Sequence, residues 1–216
     1  MWKETTWGQT LEREGEPVLE LSMALPEPEG MGPGVVRMAR YYHRLGELWR
    51  ARWMDSLYNR ACAGLEEARV SSRPFQPWRA ELSHQVTWTG EDLTSLYVDV
   101  TERRGEGRPM TVRSAGTWRR SGTPVALPEF FRERRGWRRW ALEEVQRQIR
   151  LQLERGESLL FPDAEARAAL HFSPRRFYLT GDGVVLFYPM CALGAPVEGI
   201  PTFLLPKERE SPPEKT

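Results

Sequence analysis

Lysine is almost missing from these 216 residues: it stands at positions 3, 207 and 215 only, so nearly all of the 31 basic side chains are arginine. That bias suits forked recognition of anions, although genomic base composition accounts for it equally well. Cysteine is as scarce. Cys62 and Cys191 lie far apart with no Cys-x-x-Cys or Cys/His spacing, which excludes a disulfide framework and argues against a structural metal, while a single bridge between them stays open. The three histidines, His43, His84 and His171, show neither the His-x-His nor the His-x-x-x-His spacing that brings two imidazoles to one ion. No apolar window approaches the length of a membrane span, and the opening Met-Trp-Lys-Glu-Thr-Thr-Trp-Gly has no apolar run of the kind an export signal carries. As written, the chain is expected to be cytoplasmic, or extracytoplasmic if an upstream segment has been removed. An excess of one charge is missing too. With 31 basic against 30 acidic residues, bulk charge recruits no nucleic acid, and any electrostatic attraction must come from local clustering.

What is present is a patterned core. Phe177 to Leu179 and Val184 to Tyr188 flank Gly181-Asp182-Gly183, a reversal that predicts a hairpin; the second run is apolar at nearly every position, as in a strand covered on both faces. Val18 to Leu25 alternates as a strand, and a proline- and glycine-rich loop follows it. Apolar residues then recur from Val35 to Leu65 at steps of three and four, predicting a long amphipathic helix over 35–68 with Arg37, Arg40, Arg44, Arg50 and Arg60 on its solvated side. Gly46 marks a bend or a close approach to the sheet. Three further runs, Glu81 to Trp88, Leu93 to Thr101 and Met110 to Trp118, read as an antiparallel meander. A short helical segment opens at Leu127-Pro128, a second real helix spans Trp137 to Arg155 with Gly156 as its C-cap, and Asp163 caps a short helix over 164–170. Thr202 to Leu205 supplies a last strand.

The expected fold class is therefore α+β: an antiparallel sheet packed against one long N-terminal helix, with a second helix before a C-terminal hairpin. One compact body is the simplest arrangement. Along it, 1–16 reads as a flexible arm, 17–118 as a strand, helix and meander lobe, 119–206 as a C-terminal domain, and 207–216 as a disordered tail.

Catalytic constellations are hard to assemble. There is no Gly-x-Ser-x-Gly elbow, and no lysine follows Gly105-Glu106-Gly107 in phosphate-loop register. Glu143 and Glu144 are neighbours on a helix, so their carboxylates diverge by about 100°. No cofactor, metal or catalytic residue is expected.

Binding is the stronger prospect. Arg132, Arg134, Arg135, Arg138 and Arg139 interleave with Trp137 and Trp140 and only one glutamate, a pattern suited to anionic polymers or surfaces, whose bland alternative is a helix start with tryptophans inward and arginines in water. Arg108, in the turn between two strands, and Trp118, at a strand end, complete the candidate set. Trp2, Trp7 and Trp78, from a supply of nine tryptophans, also stand where contact with a partner is feasible.

Three features carry a family resemblance: the element order itself, Leu127-Pro128-Glu129-Phe130-Phe131 before a helix, and Phe177-Tyr178-Leu179-Thr180-Gly181-Asp182-Gly183 before an aromatic strand, with an exit strand over Gly199 to Leu205. Together they resemble the domain-of-unknown-function family that forms the extracytoplasmic C-terminal domain of RsiV-type anti-sigma factors and is found beside PdaC-type peptidoglycan deacetylase domains. The resemblance spans about residues 16–206 and is most specific in the C-terminal half. Two departures stand out: Gly105 to Pro109 replaces a Gly-Gly-Ala-His turn, and Pro189-Met190-Cys191 replaces Pro-Tyr-Glu. The resemblance implies a non-catalytic binding or sensor-type domain whose partner is a lysozyme-like protein or a cell-wall glycan. The alternatives are a cytoplasmic scaffold or oligomerising protein and a cell-wall hydrolase accessory domain.

Overall fold

The computed structural model describes residues 2–156 and 158–206, and the chain forms two compact units, Met1–Val125 and Ala126–Thr216. Each has its own sheet, so the single body that the sequence suggested gives way to two. The expected tail, 207–216, lies outside the described residues.

The N-terminal unit is a five-stranded sheet in the order β1-β2-β3-β4-β5, with the helices in the connection between β2 and β3. The first strand corrects the sequence reading. Instead of a flexible arm, β1 (Trp2–Arg13) pairs antiparallel with β2 (Glu16–Pro28) along its whole length, through a tight turn with Glu14 and Gly15 at positive φ. As an edge strand on a half-covered sheet, β1 can remain polar, which left it without the apolar alternation that reveals a strand. A long helical crossover follows, so β2 can pair parallel with β3 (Trp78–Thr89) over Leu19 to Met23. β4 (Leu93–Arg103) and β5 (Met110–Arg119) complete the expected antiparallel meander. Where the parallel ladder stops, His84 Nδ1 lies 2.9 Å from the Ala24 carbonyl, so this histidine serves the sheet.

The crossover is α1 (Pro33–Arg52), a π-helical turn (Trp53–Leu57) and α2 (Tyr58–Val70). Met38, Tyr42, Trp53, Leu57, Ala61, Cys62 and Leu65 are among its buried positions, and they share one core with Leu19, Leu21, Met23, Leu82, Leu96 and Val98 of the sheet. Steps of four advance about 40° per step around a regular α-helix, so the apolar stripe from Leu45 to Leu65 drifts out of line; a turn containing an extra residue sets the phase back. Gly46 is a close approach, since a Cβ there would fall 2.7 Å from Leu25 Cδ1. Trp53 is fully buried and donates its indole N–H to Glu102 Oε1 at 3.3 Å, an oxygen that also accepts from Arg52 Nε. On the sheet's other face, Arg113 forks onto Asp99 at 2.7 and 2.8 Å with its guanidinium 3.7 Å from the Tyr97 ring centre.

Gly64, in the interior of α2, supplies an internal check on these energetics. A Cβ there would meet Trp78 and Phe75 at ordinary contact distances of 3.5 and 3.7 Å. Gly64→Ala is expected to stabilise the unit by about 0.5–1 kcal/mol, because it removes unfolded-state freedom without a clash. Urea unfolding reads this as a higher midpoint, and a lower one would contradict the placement of α2.

The C-terminal unit begins with a 3₁₀ turn (Leu127–Phe131), in which the Ala126 N–H donates to Glu129 Oε1 at 2.9 Å. α3 (Trp137–Arg155) ends on Gly156 in the left-handed conformation, as the sequence predicts. It turns Ala141, Val145 and Ile149 inward, and Gln148 Nε2 donates to the Leu204 carbonyl at 2.7 Å. α4 (Ala164–His171) starts after Asp163. The Asp163 carboxylate, expected to cap the helix, instead accepts from Arg167 Nε at 2.8 Å, and this bond holds it below its ordinary pKa. The three-stranded sheet runs β6 (Phe177–Leu179), β7 (Gly183–Phe187), β8 (Thr202–Pro206), and β7 is central and buried at every residue, as its unbroken apolar run required. Both cysteines are free thiols.

Candidate functional site

A cleft of about 700 Å³ opens in the N-terminal unit at the end of its sheet where α1 begins. Its first wall is the loop joining β2 to α1. Gly32, at φ 127°, occupies a backbone region closed to most side chains, and Pro33 then fixes the first helical residue. Trp2, Met31, Val35 and Met38 give this wall its apolar character, and Met31 is fully exposed at the lip. The opposite wall is the β3–β4 turn with the end of β5. There Arg120 N–H donates to the Asp92 carbonyl at 2.8 Å, and Arg119 Nη1 donates to the Asp92 carboxylate at 3.1 Å. The walls meet backbone to backbone. A Cβ on Gly34 would fall 2.4 Å from the Arg120 carbonyl oxygen, so only glycine lets the helix come this close.

The cleft's polar groups are largely committed. Glu29 pairs with Lys3 at 2.9 Å, Asp92 with Arg119, and the Ser121 hydroxyl donates to Thr123 Oγ1 at 3.0 Å instead of to a base. What remains for a ligand is main chain, an indole, thioethers, the hydroxyls of Thr89 and Thr94, and the exposed Glu91 and Arg120. Of the expected residues, only Trp2 belongs here. The others that line it were missed, although the density of glycine and proline over 26–34 between a strand and a helix was the available signal.

Trp118, expected to be available for contact, is buried. Its indole N–H donates to the Tyr42 hydroxyl at 2.8 Å, and burial pushes that phenol above its usual pKa. A strand end is not exposed when a helix packs over it, which spacing alone does not reveal. Trp7 lies under Arg50, 4.6 Å from ring centre to guanidinium, and Trp78 lies similarly under Arg104 at 5.3 Å. Arg108 is exposed in the β4–β5 turn.

In the C-terminal unit the arginine and tryptophan cluster is largely satisfied from within. Trp137 stacks on Phe131 with centroids 6.1 Å apart, and Trp140 leans on the same ring at 5.4 Å. Arg134 lies 4.2 Å from the Trp140 ring centre and Arg138 lies 5.3 Å from that of Phe172. Arg132 donates to Glu129 at 3.1 Å and Arg139 to Glu143 at 2.7 Å, leaving Arg135 exposed. Five positive charges in sequence thus become a surface in which four guanidiniums already lean on rings or carboxylates.

Among the described residues no group of three or more histidine, cysteine or acidic side chains could hold a metal ion, and no helix is long and apolar enough to cross a membrane. No family model and no curated protein matches the sequence. Solved structures do match the fold, two DUF3298 proteins among them. A DUF3298 family member from Bacteroides fragilis NCTC 9343 superposes with a TM-score of 0.64 at 11% identity, over 95% of this chain and 90% of that one. A DUF3298 family protein from Pseudomonas aeruginosa PAO1 does so with a TM-score of 0.57 at 14% identity, over 95% of this chain and 89% of that one. Both likenesses extend across nearly the whole chain at identities that speak for architecture alone, and the chain therefore has the fold of these DUF3298 domains of unknown function.

Proposed function

We propose that the chain is a non-catalytic recognition domain and that the cleft at the start of α1 receives its partner, a lysozyme-like protein or a cell-wall glycan fragment. The observation that carries this reading is the lining itself: an apolar set of Trp2, Met31, Val35 and Met38 stands beside Glu29, Asp92 and Ser121, which are engaged with Lys3, Arg119 and Thr123. Such a surface supplies contact area and main-chain hydrogen bonds, whereas acid–base chemistry needs a free, poised pair. The resemblance to the extracytoplasmic part of RsiV-type anti-sigma factors supports the class of partner.

Calorimetric titration of the full chain with lysozyme, and separately with soluble peptidoglycan fragments, tests the proposal. Saturable heat is expected with one of the two, and Met31→Asp is expected to weaken it about tenfold or more, as loss of an anchoring contact does. Absence of heat with both overturns the assignment of partner; heat indifferent to Met31→Asp removes the cleft from it.

A further inference from the structure

The outer face of α1 carries a row of positive charge that the cleft does not use. At about 100° per residue, Arg37, Arg40 and Arg44 fall within one sector of about 60° on the side of the helix away from Met38, Tyr42 and Trp49, spaced about 4.5 and 6 Å along the axis. All three are exposed, and among the described residues none meets a carboxylate. The nearest acidic neighbour on the helix, Glu47, is held by His43 at 3.2 Å. Arginines elsewhere in the unit do find partners: Arg13 meets Glu66, Arg52 meets Glu102, and Arg69 bridges Glu14 and Glu16. The row is costly where it stands. Arg40 and Arg44 repel across one turn, and the opening turn of the helix holds no acidic residue to offset the row.

Apolar side chains flank the row: Val36 is 55% exposed, Tyr41 46% and Leu48 61%. A soluble polyanion would engage the guanidiniums and leave these side chains in water. A bilayer with acidic headgroups engages both, phosphates with the arginines and the shallow acyl region with the apolar flanks. We propose that the outer face of α1 docks on an anionic lipid surface, independently of whatever occupies the cleft.

Co-sedimentation of the full chain tests this, using phosphatidylcholine vesicles containing about a third phosphatidylglycerol against vesicles of phosphatidylcholine alone. Partition onto the acidic vesicles alone is expected, weakening steeply as salt rises from about 50 to 500 mM. Reversing Arg37, Arg40 and Arg44 to glutamate is expected to lower partition at least about tenfold. Arg40→Ala, which leaves the helix intact, should lower it by a smaller factor in the same direction. Val36→Ser with Leu48→Ser is expected to reduce partition several-fold at unchanged charge while leaving retention on immobilised heparin as it was. Equal partition onto both vesicle types, none onto either, or indifference to the charge reversals overturns the proposal. So does a serine pair without effect, which would assign the row to a soluble polyanion instead.

Discussion

Trp53→Ala is expected to destabilise the N-terminal unit by about 3–5 kcal/mol, the loss that follows from emptying the site of a fully buried tryptophan. Trp53 is wholly enclosed where the helices meet β4, and its indole N–H is one of the two donors on Glu102 Oε1. The alanine variant therefore combines a cavity with a carboxylate that has lost a partner on its inner side. Urea unfolding followed by far-UV circular dichroism should show a much lower midpoint with little change in slope. Trp53→Phe separates the two contributions, since it restores most of the volume and none of the hydrogen bond; a loss in the alanine variant below about 1 kcal/mol would place Trp53 outside the core.

Gly34→Ala ranks next. An added methyl group meets the Arg120 carbonyl oxygen at 2.4 Å, the Ser121 carbonyl carbon at 2.6 Å and the Gly122 nitrogen at 2.9 Å. These are backbone atoms and cannot swing aside, unlike the tip of Leu25 that confronts Gly46. The helix and the end of β5 must separate, at a cost of about 2–3 kcal/mol, in the upper range for overpacking. Because the same contact joins the walls of the cleft, the substitution is also expected to reduce the calorimetric response at temperatures where the fold persists. A variant as stable as the parent would mean that the two walls do not touch.

Much of the fold was legible in the sequence because burial imposes periods. The all-apolar run Val184 to Phe187 announced a central strand, and the spacing from Trp137 to Leu153 a helix whose end Gly156 marked. What stayed hidden depends on neighbours that a linear pattern does not record. β1 is an edge strand whose residues are at most half-buried, so Trp7, Gln9 and Leu11 alternate too weakly against their polar surroundings. The separation into two sheets depends on which strands meet, and periodicity reports only how each is covered. Trp118 looked accessible because the residue that covers it, Tyr42, is distant in sequence. The cleft had a signal in its glycine-rich loop, but the other wall comes from residues 89–94 and 119–121, and only the fold brings these together.

The π-helical turn at Trp53–Leu57 makes the crossover unusual in how its length can change. Insertions and deletions are normally absorbed by loops, yet here the surplus residue is stored in mid-element, as a spacer that keeps two halves of one rod aimed at the same target. Excising it would yield a more regular rod and a worse protein, because Ala61 and Leu65 would swing off the sheet while Met38 and Tyr42 stayed on it. The irregularity is thus the gear that keeps an overlong rod in mesh.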